Sequence, residues 1–236
     1  VSSTPLKRIY KTVQVTETPN GFAVHLDGKP VRTPAGKPLV VETHLILVEN
    51  IAREWEAQSE IIRPSTMPLT QLAATAIDRI SAERTAILNH LVAYAETDLL
   101  CYRAHTPAGL RERQDRLWQP LVDWLADETG ASLVVTAGIV AVDQTPEALE
   151  IVRARFDALD LWHLTAAQAA AAASGSAILA LALAHGRLNG QQVYDLSQVD
   201  EGWQVEFWGE DAEAAQRRHN LHADIMAADR LLTLLR

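Results

Sequence analysis

Hydrophobic and polar positions alternate over short runs early in the chain, at residues 10–15, 22–26, 31–33 and 39–41, and these runs are rich in β-branched side chains. The alternation predicts short strands with side chains directed to two faces. Between the runs lie Pro19-Asn20-Gly21, Asp27-Gly28 and Pro34-Ala35-Gly36, residues that supply the positive φ angles of tight turns. Such close spacing favours an antiparallel meander over parallel crossovers, which need connections of about a dozen residues or more.

The period then becomes helical. A helix over residues 43–58 places Leu45, Val48, Ala52 and Trp55 on one face and Glu49, Arg53 and Glu56 elsewhere. Pro64 and Pro68 interrupt the next stretch, so the domain division is placed there: 1–66 as a β-rich domain with its helix, 67–236 as a helical domain. Leu72, Ala73, Ala76, Ile77 and Ile80 repeat at helical spacing, and Ile87, Leu91 and Tyr94 continue it. Thr106-Pro107 and Thr145-Pro146 each read as a capping hydroxyl followed by proline at the first helical position. Leu117, Leu121, Trp124 and Leu125 share a face until Gly130, with a kink expected at Gln119-Pro120. Residues 132–140 form the one later strand candidate. Thr165 and Gln168 read as the capping box of an alanine-rich helix that stops at Gly186, central and wrapped by its neighbours. The predicted fold class is α+β: a small N-terminal antiparallel β-domain followed by a larger, mainly α-helical domain.

Composition narrows the partners. The chain has 236 residues, 48% hydrophobic and 22% charged, as a soluble globular protein would, and a net charge of −9. That charge opposes attraction to nucleic acid or an anionic membrane and favours a basic protein surface. Cys101 is the only cysteine, which excludes an internal disulfide framework and a multi-cysteine zinc site and fits a reducing compartment. The most apolar stretch, residues 166–184, is broken by Gln168, Ser174, Gly175 and Ser176 and is half alanine, so it reads as a buried helix and not a membrane span. Residues 1–8 lack the apolar centre of a signal peptide and the long Arg/Ser-rich pattern of a transit peptide. Val1 is not an initiator residue, which points to the removal of a short piece.

The groups that carry chemistry are sparse. Asp98, Cys101 and His105 are spaced to meet on a helix, but neighbouring Leu99, Leu100 and Tyr102 turn Cys101 toward the core, where a thiol has no base and no lowered pKa. His219 and His222 with Asp224 have the spacing of metal ligands on one face, and equally that of a solvated helix. Neither phosphate-binding glycine pattern occurs, and Ser174-Gly175-Ser176 lacks the strand and glycines of a nucleophile elbow. Nothing commits the chain to an enzyme, a cofactor or a metal. Residues 69–79 are amphipathic and offer Gln71, Thr75 and Asp78 to a partner, although packing between domains explains their apolar half as well. Near the C-terminus, Trp203, Phe207 and Trp208 run directly into Glu210, Asp211 and Glu213. Aromatics beside carboxylates are enriched at recognition surfaces, while an amphipathic helix with buried Trp, solvated acids and a Glu213–Arg217 pair accounts for the same residues.

Several stretches stand out together: Arg8-Ile9-Tyr10-Lys11, His25-Leu26-Asp27-Gly28-Lys29-Pro30-Val31-Arg32-Thr33-Pro34 and Ile51-Ala52-Arg53-Glu54-Trp55-Glu56-Ala57-Gln58, followed by Met67-Pro68-Leu69-Thr70 and Ala76-Ile77-Asp78-Arg79. Glu96-Thr97-Asp98-Leu99-Leu100-Cys101-Tyr102-Arg103 and Trp208-Gly209-Glu210-Asp211-Ala212-Glu213 complete the series. In this order they resemble the family of F-type ATP synthase assembly chaperones that bind the free α subunit of the catalytic head. The resemblance implies an N-terminal β-domain joined to a helical one, and a chaperone that holds the α subunit until it pairs with the β subunit, without catalysis or cofactor. It implies that C-terminal acids matter, here Glu210, Asp211 and Glu213, with Trp208 beside them as partner-binding residues. The family is cytoplasmic in bacteria and mitochondrial in eukaryotes, and this chain resembles the bacterial form. The rival reading is an enzyme or small-ligand-binding protein with an interdomain pocket involving Asp98 and Cys101.

Overall fold

Asp27 and Gly28, at φ 48° and 77°, make the tight turn that starts the sheet's second hairpin. In this computed structural model, which describes residues 6–138, 140–209 and 211–236, β1 (Val13–Thr18) pairs antiparallel with β2 (Gly21–Leu26). The short strands β3 (Lys29–Pro30) and β4 (Val40–Val41) both pair antiparallel with β2. The first strand begins later than the alternation predicts because the Lys11 and Thr12 amides donate to the Asp27 carboxylate instead of to a strand. The expected strand at 31–33 is reduced to one bridge, Arg32 to Pro38, because Thr33 closes a tight loop with Lys37 and Gly36. Gly21 sits where a Cβ would lie 2.3 Å from the Val41 carbonyl oxygen, so only glycine lets β4 come this close.

Helix α1 (Leu45–Glu56) buries Leu47, Val48 and Ile51 completely; of the face expected from the sequence only Val48 is fully buried, Ala52 and Trp55 are half-buried, and Leu45 is exposed. Its Glu54 carboxylate accepts the Leu69 and Thr70 amides at 2.8 Å and the Thr70 hydroxyl at 2.7 Å. It thereby caps α2 (Pro68–Thr75), whose own N-cap residue Met67 makes no side-chain cap. A π-helical turn, Ala76–Ile80, continues α2. By packing, the chain forms two compact units, Val1–Glu83 with Arg230–Arg236, and Arg84–Asp229. The sequence reading divides the chain at 66/67, whereas α2 stays with the first unit, in keeping with its cap on α1.

The second unit contains α3 (Arg84–Glu96), a 3-10 turn at Leu99–Cys101, β5 (Tyr102–Arg103), α4 (Ala108–Thr129), β6 (Thr136–Ala137) and α5 (Pro146–Asp157). It continues with α6 (Leu161–Ser174), α7 (Ala177–Ala184), α8 (Gly190–Ser197), α9 (Val199–Trp208) and α10 (Ala212–Leu234), the last reaching past the boundary between units. Thr145 caps α5 through the Ala148 amide, with Pro146 in the first turn, as predicted. Pro107, not the expected Thr106, stands at the N-cap of α4, and Pro120 lies inside that helix, which continues past it to Thr129. The strand expected at 132–140 shrinks to β6, parallel to β5, because the Gln144 amide takes both the N–H and the carbonyl of Val134 as a neighbouring strand would.

The alanine-rich run is two helices. Thr165 lies inside α6 and donates back to the Leu161 carbonyl, while Asp160 caps that helix. Gly175 ends it at φ 72°, and Ser176 caps α7 through the Leu179 amide. The break is pinned from a distance: Asp98 Oδ1 accepts the Ser176 hydroxyl at 2.8 Å, and Oδ2 accepts the Ile178 amide at 3.1 Å. All seven residues of 177–183 are buried, so α7 is the central helix of this unit. Among the described residues, no helix is long and apolar enough to cross a membrane.

Candidate partner-binding site

Helix α9 is held against α4 by one arginine. Arg113 makes a bidentate pair with Glu206, at 2.7 and 2.9 Å, and its guanidinium lies 4.8 Å from the centre of the Trp203 ring. These charge-assisted bonds hold the Glu206 carboxyl below the usual carboxylate range. At the other end of α9, Gln114 donates to Asp200 at 2.6 Å, and burial raises the Asp200 carboxyl. Gly109 completes the seat: a Cβ there would stand 2.9 Å from the Trp203 ring.

With Trp203 half-buried, the next aromatics face outward. Phe207 is 62% exposed and Trp208 is 78% exposed, the Trp203 and Phe207 rings are 4.9 Å apart, and those of Phe207 and Trp208 are 6.2 Å apart. Most of both side chains stays uncovered within the chain, so the reading that places the Trp residues in the core does not hold for Trp208. Gly209 then ends α9, and α10 starts after Asp211.

The acids behind the aromatics are not equivalent. Glu210 lies outside the described residues. Asp211 accepts the Ala214 amide at 2.8 Å and so caps α10, a structural duty besides its charge. Glu213 is paired with Arg217 at 2.9 Å, the internal pair foreseen as the ordinary explanation, and both side chains are largely exposed.

The remaining candidates are engaged elsewhere. Asp98 and Cys101 have no exposed surface. Burial pushes the Asp98 carboxyl up to about 6 against the hydrogen bonds that lower it, and burial, reinforced by Asp98, pushes the Cys101 thiol up to about 12. Such a thiol is not ionised near neutrality and is no nucleophile. Arg103, fully buried beside them, pairs with Asp115 at 3.0 Å, so the 96–103 segment is a packing centre. His222 meets Gln191 at 3.0 Å and the edge of Tyr194, and among the described residues no three metal-ligating side chains converge. Ser174 donates to the Ala170 carbonyl. Arg113, Gly109 and Asp200 were missed by the sequence reading, because the pairing of Arg113 with Glu206 spans 93 residues and leaves no local pattern.

Fold and site define a two-unit α+β protein whose outward aromatics and acids offer contact surface and no ionised nucleophile. A family model described as ATP12 chaperone protein matches residues 7–126. The mitochondrial protein atp12 of Schizosaccharomyces pombe is 30% identical over 215 residues, covering 86% of this chain and 74% of that protein. Mitochondrial ATP12 of Saccharomyces cerevisiae is 27% identical over 121 residues, covering 43% of this chain and 37% of that protein. The crystal structure of Atp12 from Paracoccus denitrificans has a TM-score of 0.91 at 38% identity, covering 98% of this chain and 99% of that one. The chain belongs to the ATP12 chaperone family, the assembly chaperones that the sequence resemblance indicates.

Proposed function

We propose that this chain is a non-enzymatic chaperone, cytoplasmic in a bacterium, that binds the unassembled α subunit of the F-type ATP synthase head and prevents its aggregation until the β subunit displaces it. The observation that carries the reading is the Phe207–Trp208 pair, 62% and 78% exposed, at the C-terminal end of α9 and close in sequence to Asp211 and Glu213. A subunit awaiting assembly exposes apolar interface that aggregates unless covered. Covering it requires aromatic contact for affinity, and carboxylates give approach and register. Release requires only moderate affinity, since the assembled head must win the competition. Trp208, Glu210, Asp211 and Glu213 are the proposed contact residues, with Trp203 and Arg113 holding α9 in place.

Co-expression with the α subunit from the same source tests the reading by α-subunit solubility and by co-elution in size-exclusion chromatography. A soluble complex that dissociates when β subunit is added is expected. Equal aggregation of α with and without this chain, and no co-elution, would remove the proposal. Within that assay Trp208→Ala should weaken the complex by about 2 kcal/mol, as loss of a central aromatic anchor does. Because the side chain is exposed, its thermal midpoint should match the parent's.

A further inference from the structure

A groove of about 580 Å³ opens in the N-terminal unit, within the volume range of roughly 300–1,000 Å³ typical of ligand sites. Its apolar walls include Leu39, Trp55, Met67 and Ala74, and Arg32 and Arg79 also line it. The one lining carboxylate is already engaged. Asp78 Oδ1 accepts the Thr33 hydroxyl at 2.7 Å, and Oδ2 accepts the Ala35 amide at 3.0 Å.

The two arginines retain donors. Arg32 gives one N–H to the Gly36 carbonyl at 2.7 Å, and Arg79 lies 3.6 Å from an exposed Glu83, a weak pair. Net positive charge therefore lines an apolar groove in a chain whose total charge is −9. Trp55 lines the groove, and its Nε1, shielded from solvent and without a hydrogen-bond partner, serves as a reporter beside the groove and not as a donor into it. Four of the segments that carry the family resemblance contribute Arg32, Thr33, Pro34, Trp55, Met67 and Asp78 to this one place. The family model's match, 7–126, contains every lining residue except Leu6.

We propose that this groove is a second polypeptide-binding site, one that takes an extended segment with an aliphatic side chain flanked by carboxylates. The aliphatic group enters between Trp55, Met67 and Ala74, and the carboxylates meet Arg32 and Arg79, whose planar guanidinium groups match a carboxylate in two-bond geometry. A polypeptide is the occupant because the family is one of chaperones. This chemistry is opposite in sign to that of the acidic corner at Trp208, so the two sites take different segments.

The test is a titration of isotope-labelled full-length protein, read by NMR at the Trp55 indole N–H, which Trp55→Phe assigns. Three probes are used: a blocked Ser-Glu-Leu-Glu-Ser peptide, its Ser-Lys-Leu-Lys-Ser counterpart, and dodecanoate. Saturable shifts with the acidic peptide are expected, with binding weakened about tenfold or more by the lysine exchange, by Ala74→Glu, and by Arg32→Ala with Arg79→Ala. The double arginine variant changes only exposed residues and keeps the fold if Ala74→Glu does not. The site is refuted by the absence of a saturable shift, by equal binding of the lysine peptide, or by equal binding in the folded variants. Displacement of the peptide by dodecanoate at lower concentration refutes the polypeptide assignment. No α subunit enters this experiment, so its failure leaves the proposed function standing.

Discussion

A single buried carboxylate organises the middle of the helical unit. Asp98 accepts the Leu100 amide and the Ser176 hydroxyl on one oxygen and the Ile178 amide on the other. Asp98→Asn keeps the shape but puts an NH₂ where one of these donors points, so a cost of about 1–3 kcal/mol is expected in urea denaturation. The cost depends on pH. Burial raises the folded carboxyl to about 6, above its unfolded value of roughly 3.9, so the native state holds more protons than the unfolded state between those limits. Stability contributed by Asp98 is therefore full below that window and falls as pH rises through about 6, by of order 2–3 kcal/mol in all. The penalty of Asp98→Asn should be larger at pH 4.5 than at pH 7.5, and a penalty that grows with pH would reverse the assignment.

Elements whose start and stop are written in adjacent residues were legible, and those fixed from afar were not. Asp27-Gly28 and Thr145-Pro146 each carry their own turn or cap, and both do in the structure what their residues dictate. The break between α6 and α7 was read through although Ser174-Gly175-Ser176 stands at it, because alanine and leucine continue the helical pattern on both sides and the aspartate that pins the break lies 78 residues away from Ser176. The strand expected at 132–140 failed similarly, its pairing replaced by the Gln144 side chain. At the candidate site, the aromatic and acidic residues were legible as a local run, but their exposure and the Arg113 anchor follow from packing. The α6–α7 break yields a test at Gly175, where a Cβ meets nothing within 4 Å but the backbone sits at φ 72°. Gly175→Ala should cost about 1–2 kcal/mol through the backbone alone, and Gly175→Asn less, since asparagine tolerates this region. Equal stability of all three proteins by denaturation would mean that the left-handed stop contributes nothing.

Charge is divided unequally over the molecule. The N-terminal unit, with residues 230–236, carries eleven basic and nine acidic residues, and the helical unit ten basic and twenty-one acidic. An acidic unit draws basic surfaces from a distance, which speeds encounter without adding contacts and fades as salt screens it over about 8 Å at physiological strength. The contribution of the acidic corner can be separated from its structural duty. Asp211→Asn removes the charge and keeps an N-cap on α10, because asparagine caps as well as aspartate. Glu213→Lys reverses a residue whose exposed pair with Arg217 is worth only a few tenths of a kcal/mol. The two changes together should leave the thermal midpoint within a degree or two of the parent's. In stopped-flow mixing with the α subunit they should slow association several-fold at low ionic strength, with the rates converging in high salt and dissociation unchanged. An association rate equal to the parent's at low salt would assign the corner to contact alone, with steering left to the other carboxylates of the helical unit.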